Sequence, residues 1–389
     1  MSKTCNVCHH PELDLVYESP DNLSVTTMNK LVSGRTSVSF CVRCGHLQTA
    51  ELADLRRYYA EEYEINLRSE DDDQLYAVLD GRPLYRAEHQ ANVLASKLRF
   101  TTGSRVLDYG CARSQTLRRV LERQGGIRPF LFDVTDKYVP HWQTFPQPAE
   151  WCTHEPDPAW TGTMDVILSF YALEHVADLD EAIGNVRNLL KPGGTFYFLV
   201  PNVYDNTADF IVADHVNHFS RSSLRCMLSR NGFTDIDIDS TSHDAAFVVH
   251  AKLPQGAPEG GVDPSALERE EIRCSRDAVS SMAHYWSSVV GRIREFESAT
   301  NGHEVAVYGA GFYGNFIATA MRNPERIRCF IDQNRHLHTT MIRDRQVLPP
   351  SALPGDVRHL LVGLNPRRAR ETIATIEDWK LRDLEYFFL

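Results

Sequence analysis

From residue 104 to 252 the chain alternates short apolar runs with amphipathic ones. RVLDYG, RPFLFDV, MDVILSF and TFYFLVP have the length and apolar density of buried strands. Between them, SQTLRRVLERQ and DLDEAIGNVRNLL repeat apolar positions with a helical period. SRSSLRCMLSRNGF follows as a further helix, with Ser220 as its N-cap and Gly232 just past its end. TDIDIDS and AAFVVHAKL then alternate like an antiparallel pair. Strand–helix alternation closed by a hairpin predicts an α/β fold with a largely parallel, three-layer sheet. Residues 1–50 read as short β-like pieces between turns. Residues 51–100 read as helical, through LADLRRYYAEEY and PLYRAEHQANVLASKL. LPQGAPEGGVDPSA, with three Gly and three Pro in fourteen residues, reads as a linker leading into a long helical run. Residues 303–389 form a second, smaller βαβ region. The expected division is 1–50, 51–100, 101–252, 253–302 and 303–389.

A chain of 389 residues is too long for one ordinary core. Net charge is −11, and the densest charge run is acidic, Glu70-Asp71-Asp72-Asp73. A nucleic-acid partner is therefore not expected, and a small molecule is. No apolar run is long enough to span a bilayer, and MSKTCNVCHH lacks the apolar segment of a secretion signal. Membrane association is not expected, and the expected compartment is the cytoplasm. Of nine cysteines, five are scattered singly, which suits reduced thiols rather than a disulfide framework.

The other four cysteines form two pairs, Cys5-x-x-Cys8 and Cys41-x-x-Cys44. Two such turns present four sulfurs to one ion, as in a structural Zn2+ site with no open position. His9, His10 and His46 flank the pairs as substitute ligands. In VLDYGCARS a strand ends at Asp108, and Gly110, Ala112 and Ser114 are small enough for close approach of an adenosyl ligand. Asp133, ending the next strand, is placed to take ribose hydroxyls. Phe170 and Glu174, in LSFYALEHV, fall at the same end of the sheet. DHVNHFS supplies Asp214, His215 and His218, a set suited to acid–base chemistry on a loop beside the cofactor. Near the C-terminus, VAVYGAGFYGNF holds a complete G-x-G-x-x-G in Gly309, Gly311 and Gly314, followed by Asp332.

The glycine turn, LSFYALEHV and NLLKPGGTFYFLVPN together resemble the class I S-adenosylmethionine-dependent methyltransferases over 100–252, with Gly-x-Ala-x-Ser in place of that family's G-x-G-x-G. The order of modules resembles the sugar C-methyltransferases acting on nucleotide-linked keto-deoxysugars: a four-cysteine unit, a methyltransferase core and a second, smaller Rossmann-like domain opening on YGAG. That resemblance implies S-adenosyl-L-methionine as cofactor, structural zinc and a sugar-nucleotide substrate methylated at carbon through an enolate. The family's E-H-x-x-Y-F-S segment, beside the reacting carbon, is matched by Asp214-His215 and His218-Phe219-Ser220. His215 is then the expected base, oriented by Asp214, with His218 or a tyrosine holding the enolate oxygen. The family's tyrosine from the segment after the zinc unit is matched by Tyr63 or Tyr59. Its Y-G-A-x-A-K-G is matched, without the lysine, by Tyr308–Gly314. That turn is read either as a cradle for the substrate diphosphate, as packing alone, or as a nicotinamide site. O-methylation, RNA methylation and a non-catalytic ligand-binding role stand as alternatives.

Overall fold

The structure is a computed structural model, and it describes residues 4–51, Tyr58, 73–79, 82–256, 266–338 and 340–389. At its centre is a seven-stranded sheet. Its strands in chain order are β1 (Arg105–Tyr109), β2 (Arg128–Asp133), β3 (Glu150–Thr153), β4 (Met164–Phe170), β5 (Leu190–Pro201), β6 (Thr234–Asp239) and β7 (Ala246–Lys252). In space they run β3-β2-β1-β4-β5-β7-β6. The first five are parallel, and β7 pairs antiparallel with both β5 and β6.

The strands are apolar because both faces are covered. Val106, Leu107, Ile167 and Leu168 are all fully buried. The helix Gln115–Arg123 turns Leu117, Val120 and Leu121 inward, and Leu179–Leu189 does the same with Leu179, Ala182, Ile183 and Val186. The chain leaves β1 outward to β2 and β3, then returns to β4 on the other side. The crevice where the order reverses lies at the carboxyl ends of β1 and β4, where open α/β sheets bind ligands.

The expected strands and helices of the core are present, including the Ser220 cap, which forms a capping box with Ser223. Gly232 follows that helix at positive φ. Two elements differ from the sequence reading. Residues 83–85 are not helical: Arg82–Tyr85 pairs with Leu75–Leu79 as a hairpin, and the helix begins at Arg86. Pro83 sits in that hairpin, whose cross-strand hydrogen bonds outweigh local helix propensity. Strand β3 (EWCT) shows no apolar run, because it is a short edge strand with exposed or half-buried side chains. The proposed helix 52–63, apart from Tyr58, and part of the linker 253–266 lie outside the described residues.

The N-terminal unit is an antiparallel sheet of Asp14–Glu18, Ser37–Phe40 and Leu47–Thr49, completed by a strand from the core, Asn217–His218. At the other end, Val305–Tyr308 lies between parallel neighbours Ile327–Ile331 and His359–Val362 in a six-stranded sheet. The long helix Ala266–Ala299 joins these parts. Its Val279, Trp286 and Ile293 share one buried cluster with Phe40 of the N-terminal sheet and Val305 and Phe330 of the C-terminal sheet. Trp286 Nε1 donates to the Thr207 carbonyl at 2.9 Å, fixing the helix to the core. No helix among the described residues is long and apolar enough to cross a membrane.

Candidate active site

A cavity of about 890 Å³ opens at the carboxyl ends of β1, β2 and β4. The turn after β1 forms its floor. Gly110 has φ +70°, and a Cβ there would lie 2.8 Å from the Ala172 Cβ. Ala112 and Ser114 also have positive φ, 44° and 53°, although neither is glycine. Left-handed backbone costs an L-residue roughly 1–2 kcal/mol. Hydrogen bonds hold the turn in place. Ser114 Oγ donates to Asp108 Oδ2 at 2.5 Å, the Ala112 N–H donates to Asp133 Oδ2 at 2.8 Å, and Trp142 Nε1 donates to the Ala112 carbonyl at 2.7 Å.

Burial pushes the Asp108 carboxyl up to about 7 and that of Asp133 up to about 6. The second oxygen of Asp108 is buried without a hydrogen-bond partner among the described residues. An orphaned acceptor, a glycine cradle and a cavity of this size fit an adenosyl cofactor. Asp108, Gly110, Ala112, Ser114, Asp133 and Phe170 all line the cavity. Glu174 is buried behind its wall, where burial pushes its carboxyl up to about 8.

His175 reaches the cavity wall. Its Nδ1 lies 2.9 Å from the Asp214 carbonyl, so the proton sits on Nδ1 and the lone pair on Nε2. Burial, reinforced by the neighbouring His215, lowers His175 to about 4. His215 stacks edge-on behind it, ring centroids 4.6 Å apart. The carboxylate against His215 is that of Asp209, not that of Asp214 as its sequence position suggested. His215 Nδ1 contacts Asp209 Oδ1, and His218 Nδ1 lies 3.0 Å from Asp209 Oδ2. Burial alone would lower His215, but the Asp209 carboxylate overrides it and lifts the ring to about 9. In return, the two histidines hold the Asp209 carboxyl well below the usual range against its own burial.

Asp214 has a different task. Its oxygens accept from the Thr27 N–H at 2.7 Å and the Thr27 hydroxyl at 2.5 Å, and Tyr58 approaches at 3.4 Å. Tyr59 and Tyr63 lie outside the described residues. The segment 214–220 is therefore not a free loop. Asn217 and His218 pair with Gln48 and Leu47, and the Thr49 hydroxyl lies 2.8 Å from His218 Nε2. Asp209 escaped sequence reading because it sits in a short 3-10 turn, Thr207–Ile211, with no periodic or motif signal. His175 was legible only as part of Glu174-His175.

In the N-terminal unit the Cys5–Cys44 and Cys8–Cys41 sulfurs are 3.6 and 3.5 Å apart. A tetrahedral zinc–thiolate site with bonds of about 2.3 Å has sulfur–sulfur edges of about 3.8 Å. All four sulfurs lie within 4.8 Å of one another, so the set fits one tetrahedral ion. His46 is not part of it: its Nε2 faces Asn217 Oδ1 at 3.2 Å, and burial lowers it to about 3. His9 pairs with Asp180.

In the C-terminal unit the three glycines divide. A Cβ on Gly309 would drive into the Gly363 carbonyl, and one on Gly314 into the Gly309 carbonyl, whereas one on Gly311 meets nothing. Asp332 accepts the Ala310 N–H at 2.8 Å, the same brace that Asp133 gives Ala112.

Residues 84–238 match the family model described as a methyltransferase domain. The chain carries a methyltransferase domain over these residues. Among solved structures, the methyltransferase fold is similar to the CurJ carbon methyltransferase (18% identity, 42% of this chain, 54% of that chain, TM-score 0.36). It is also similar to the carbon methyltransferase domain of citrinin polyketide synthase (16%, 42%, 50%, 0.36). A third is an S-adenosylmethionine-dependent methyltransferase from Mesorhizobium loti (17%, 42%, 97%, 0.35). The matches span about half the length of the first two. No curated protein matches this sequence.

Proposed function

We propose that the protein methylates a carbon next to a ketone in a nucleotide-linked sugar, using S-adenosylmethionine. The observation that carries this reading is the stacked pair of His175 at the cavity wall and His215 behind it, whose environments drive them in opposite directions. Environments that split two titrating groups assign acid and base roles. His175, lowered to about 4, is neutral near pH 7 and lies at the wall. It takes the proton from the carbon α to the ketone. His215, lifted to about 9, is a fixed cation behind it. Its charge favours the enolate that forms as the proton leaves, and the enolate charge offsets the second positive charge on His175.

S-adenosylmethionine, when bound, supplies an electrophilic methyl group. The turn Asp108–Ser114 and Asp133 hold it, with Phe170 at the wall. Gly311, the turn glycine without a packing duty, offers its backbone to the sugar-nucleotide diphosphate, and Gly309 and Gly314 shape that turn. Cys5, Cys8, Cys41 and Cys44 hold a structural zinc ion. The module order and the DHVNHFS segment favour a sugar substrate over other ketones.

The test is labelled S-adenosylmethionine with a panel of nucleotide-linked keto-sugars, followed by mapping of the methyl position. The expected product carries the methyl on carbon. His175→Ala should lower turnover by about 100-fold or more with cofactor affinity retained. A methyl found on oxygen, or full turnover in that variant, refutes the assignment.

A further inference from the structure

We propose that Asp209 is a positioning residue of the methyl-transfer site. Its carboxylate grips His215 and His218 together through their Nδ1 atoms, and Thr49 of the N-terminal unit closes the far end of the chain of hydrogen bonds. The inference rests on the chemistry proposed above, because His215 matters to turnover only through the group it stands behind.

Asp209 is 3% exposed. An ionised carboxylate is costly to bury unless it is paired and hydrogen-bonded. Here each oxygen meets a different ring: Oδ1 faces His215 and Oδ2 faces His218. Both rings must then carry a proton on Nδ1. The other ring nitrogen of His218, Nε2, lies 2.8 Å from the Thr49 hydroxyl. The order runs from Thr49 to His218, Asp209, His215 and the edge of His175. Apart from Asp209, the titratable groups facing His215 are Glu174, Asp214, His175 and His218. Of these, Glu174 is kept largely neutral by burial and Asp214 is occupied by Thr27, which leaves Asp209 as the partner that sets His215. Asp209, His215 and His218 also have the composition of a cation site. The direct contact of two rings with separate oxygens of one carboxylate points to a hydrogen-bonded hub.

The experiment uses the full chain with S-adenosylmethionine bound and follows the histidine ring resonances by NMR against pH. The variants are Asp209→Asn, Asp209→Glu and Thr49→Val. In Asp209→Asn the His215 midpoint should fall by about one unit or more, and turnover by about tenfold or more, at unchanged cofactor affinity. Asp209→Glu should restore part of both. Thr49→Val should move the His218 resonances and lower turnover less.

A folded Asp209→Asn protein with an unmoved His215 midpoint overturns the proposal. So does a second metal ion per chain that this variant loses. If Asp209→Asn does not fold, Thr49→Val decides: unchanged His218 resonances and unchanged turnover overturn it. The NMR readout needs no substrate, so a wild type that methylates no keto-sugar refutes the proposed chemistry while leaving the Asp209 hub separately tested.

Discussion

At the scale of the residue, this site is governed by burial acting on charge. His215 is held above its ordinary value by Asp209, up to about 9. A group whose pKa is raised by folding contributes stability that is complete below its unfolded value and lost as pH climbs through the folded one. For His215 that window runs from pH 6.5 to about 9. The full effect is on the order of 3 kcal/mol. Glu174, raised by burial to about 8, pushes the same way from its ordinary value upward, because the unfolded chain ionises first. Denaturant unfolding at pH 6.5 and pH 9 should therefore show a marked alkaline loss of stability, and His215→Gln should flatten part of it. An equal slope in wild type and variant would place the loss elsewhere.

At the scale of the element, the decisive piece is the two-residue strand Asn217–His218. It belongs by sequence to the methyltransferase core and by hydrogen bonding to the N-terminal sheet. The cysteine unit is therefore joined directly to the His218–Asp209 hydrogen bonds that lie behind the cavity wall. Asn6 Nδ2 donates to Asn217 Oδ1 at 3.0 Å, and the Ser222 hydroxyl donates to the Cys44 carbonyl at 2.9 Å. Metal binding and folding are coupled in such units. Cys41→Ser should lower zinc content and reduce turnover by about tenfold or more through the His218 end of the network. Affinity for S-adenosylmethionine should change little, since the turn proposed to hold it follows β1 and is braced by Asp133 at the end of β2. Metal analysis, calorimetry and turnover on one preparation check this. Loss of cofactor affinity in step with turnover would contradict it.

At the scale of the whole molecule, two α/β units repeat one device. In each, an acid at the end of the second strand accepts an N–H from the turn after the first: Asp133 from Ala112, and Asp332 from Ala310. Only the first turn opens on the large cavity described here. In the second, Gly309 and Gly314 are committed to close packing against carbonyl oxygens, while Gly311 faces open space. Gly309→Val should destabilise the C-terminal unit, because neither its positive φ nor its neighbours admit a side chain. Gly311→Val should leave melting unchanged and raise the KM for a sugar nucleotide. Equal melting losses in the two variants would contradict this division.

The sequence by itself determined the periodic elements. The strands of the parallel sheet are buried on both faces and so read as apolar runs, and the helices carry one apolar stripe each. It also marked the two cysteine pairs, the turn after β1 and Asp133, because each depends on residues close along the chain or at a strand end. Tertiary structure decided what depends on residues far apart. It set Asp209 rather than Asp214 against His215, brought His175 to the cavity wall, and drew His218 into a sheet with Leu47. Burial in that setting then split the two histidines. Local spacing carries no trace of these pairings, because a hydrogen bond across 169 residues, as between Thr49 and His218, is fixed only when the chain closes on itself.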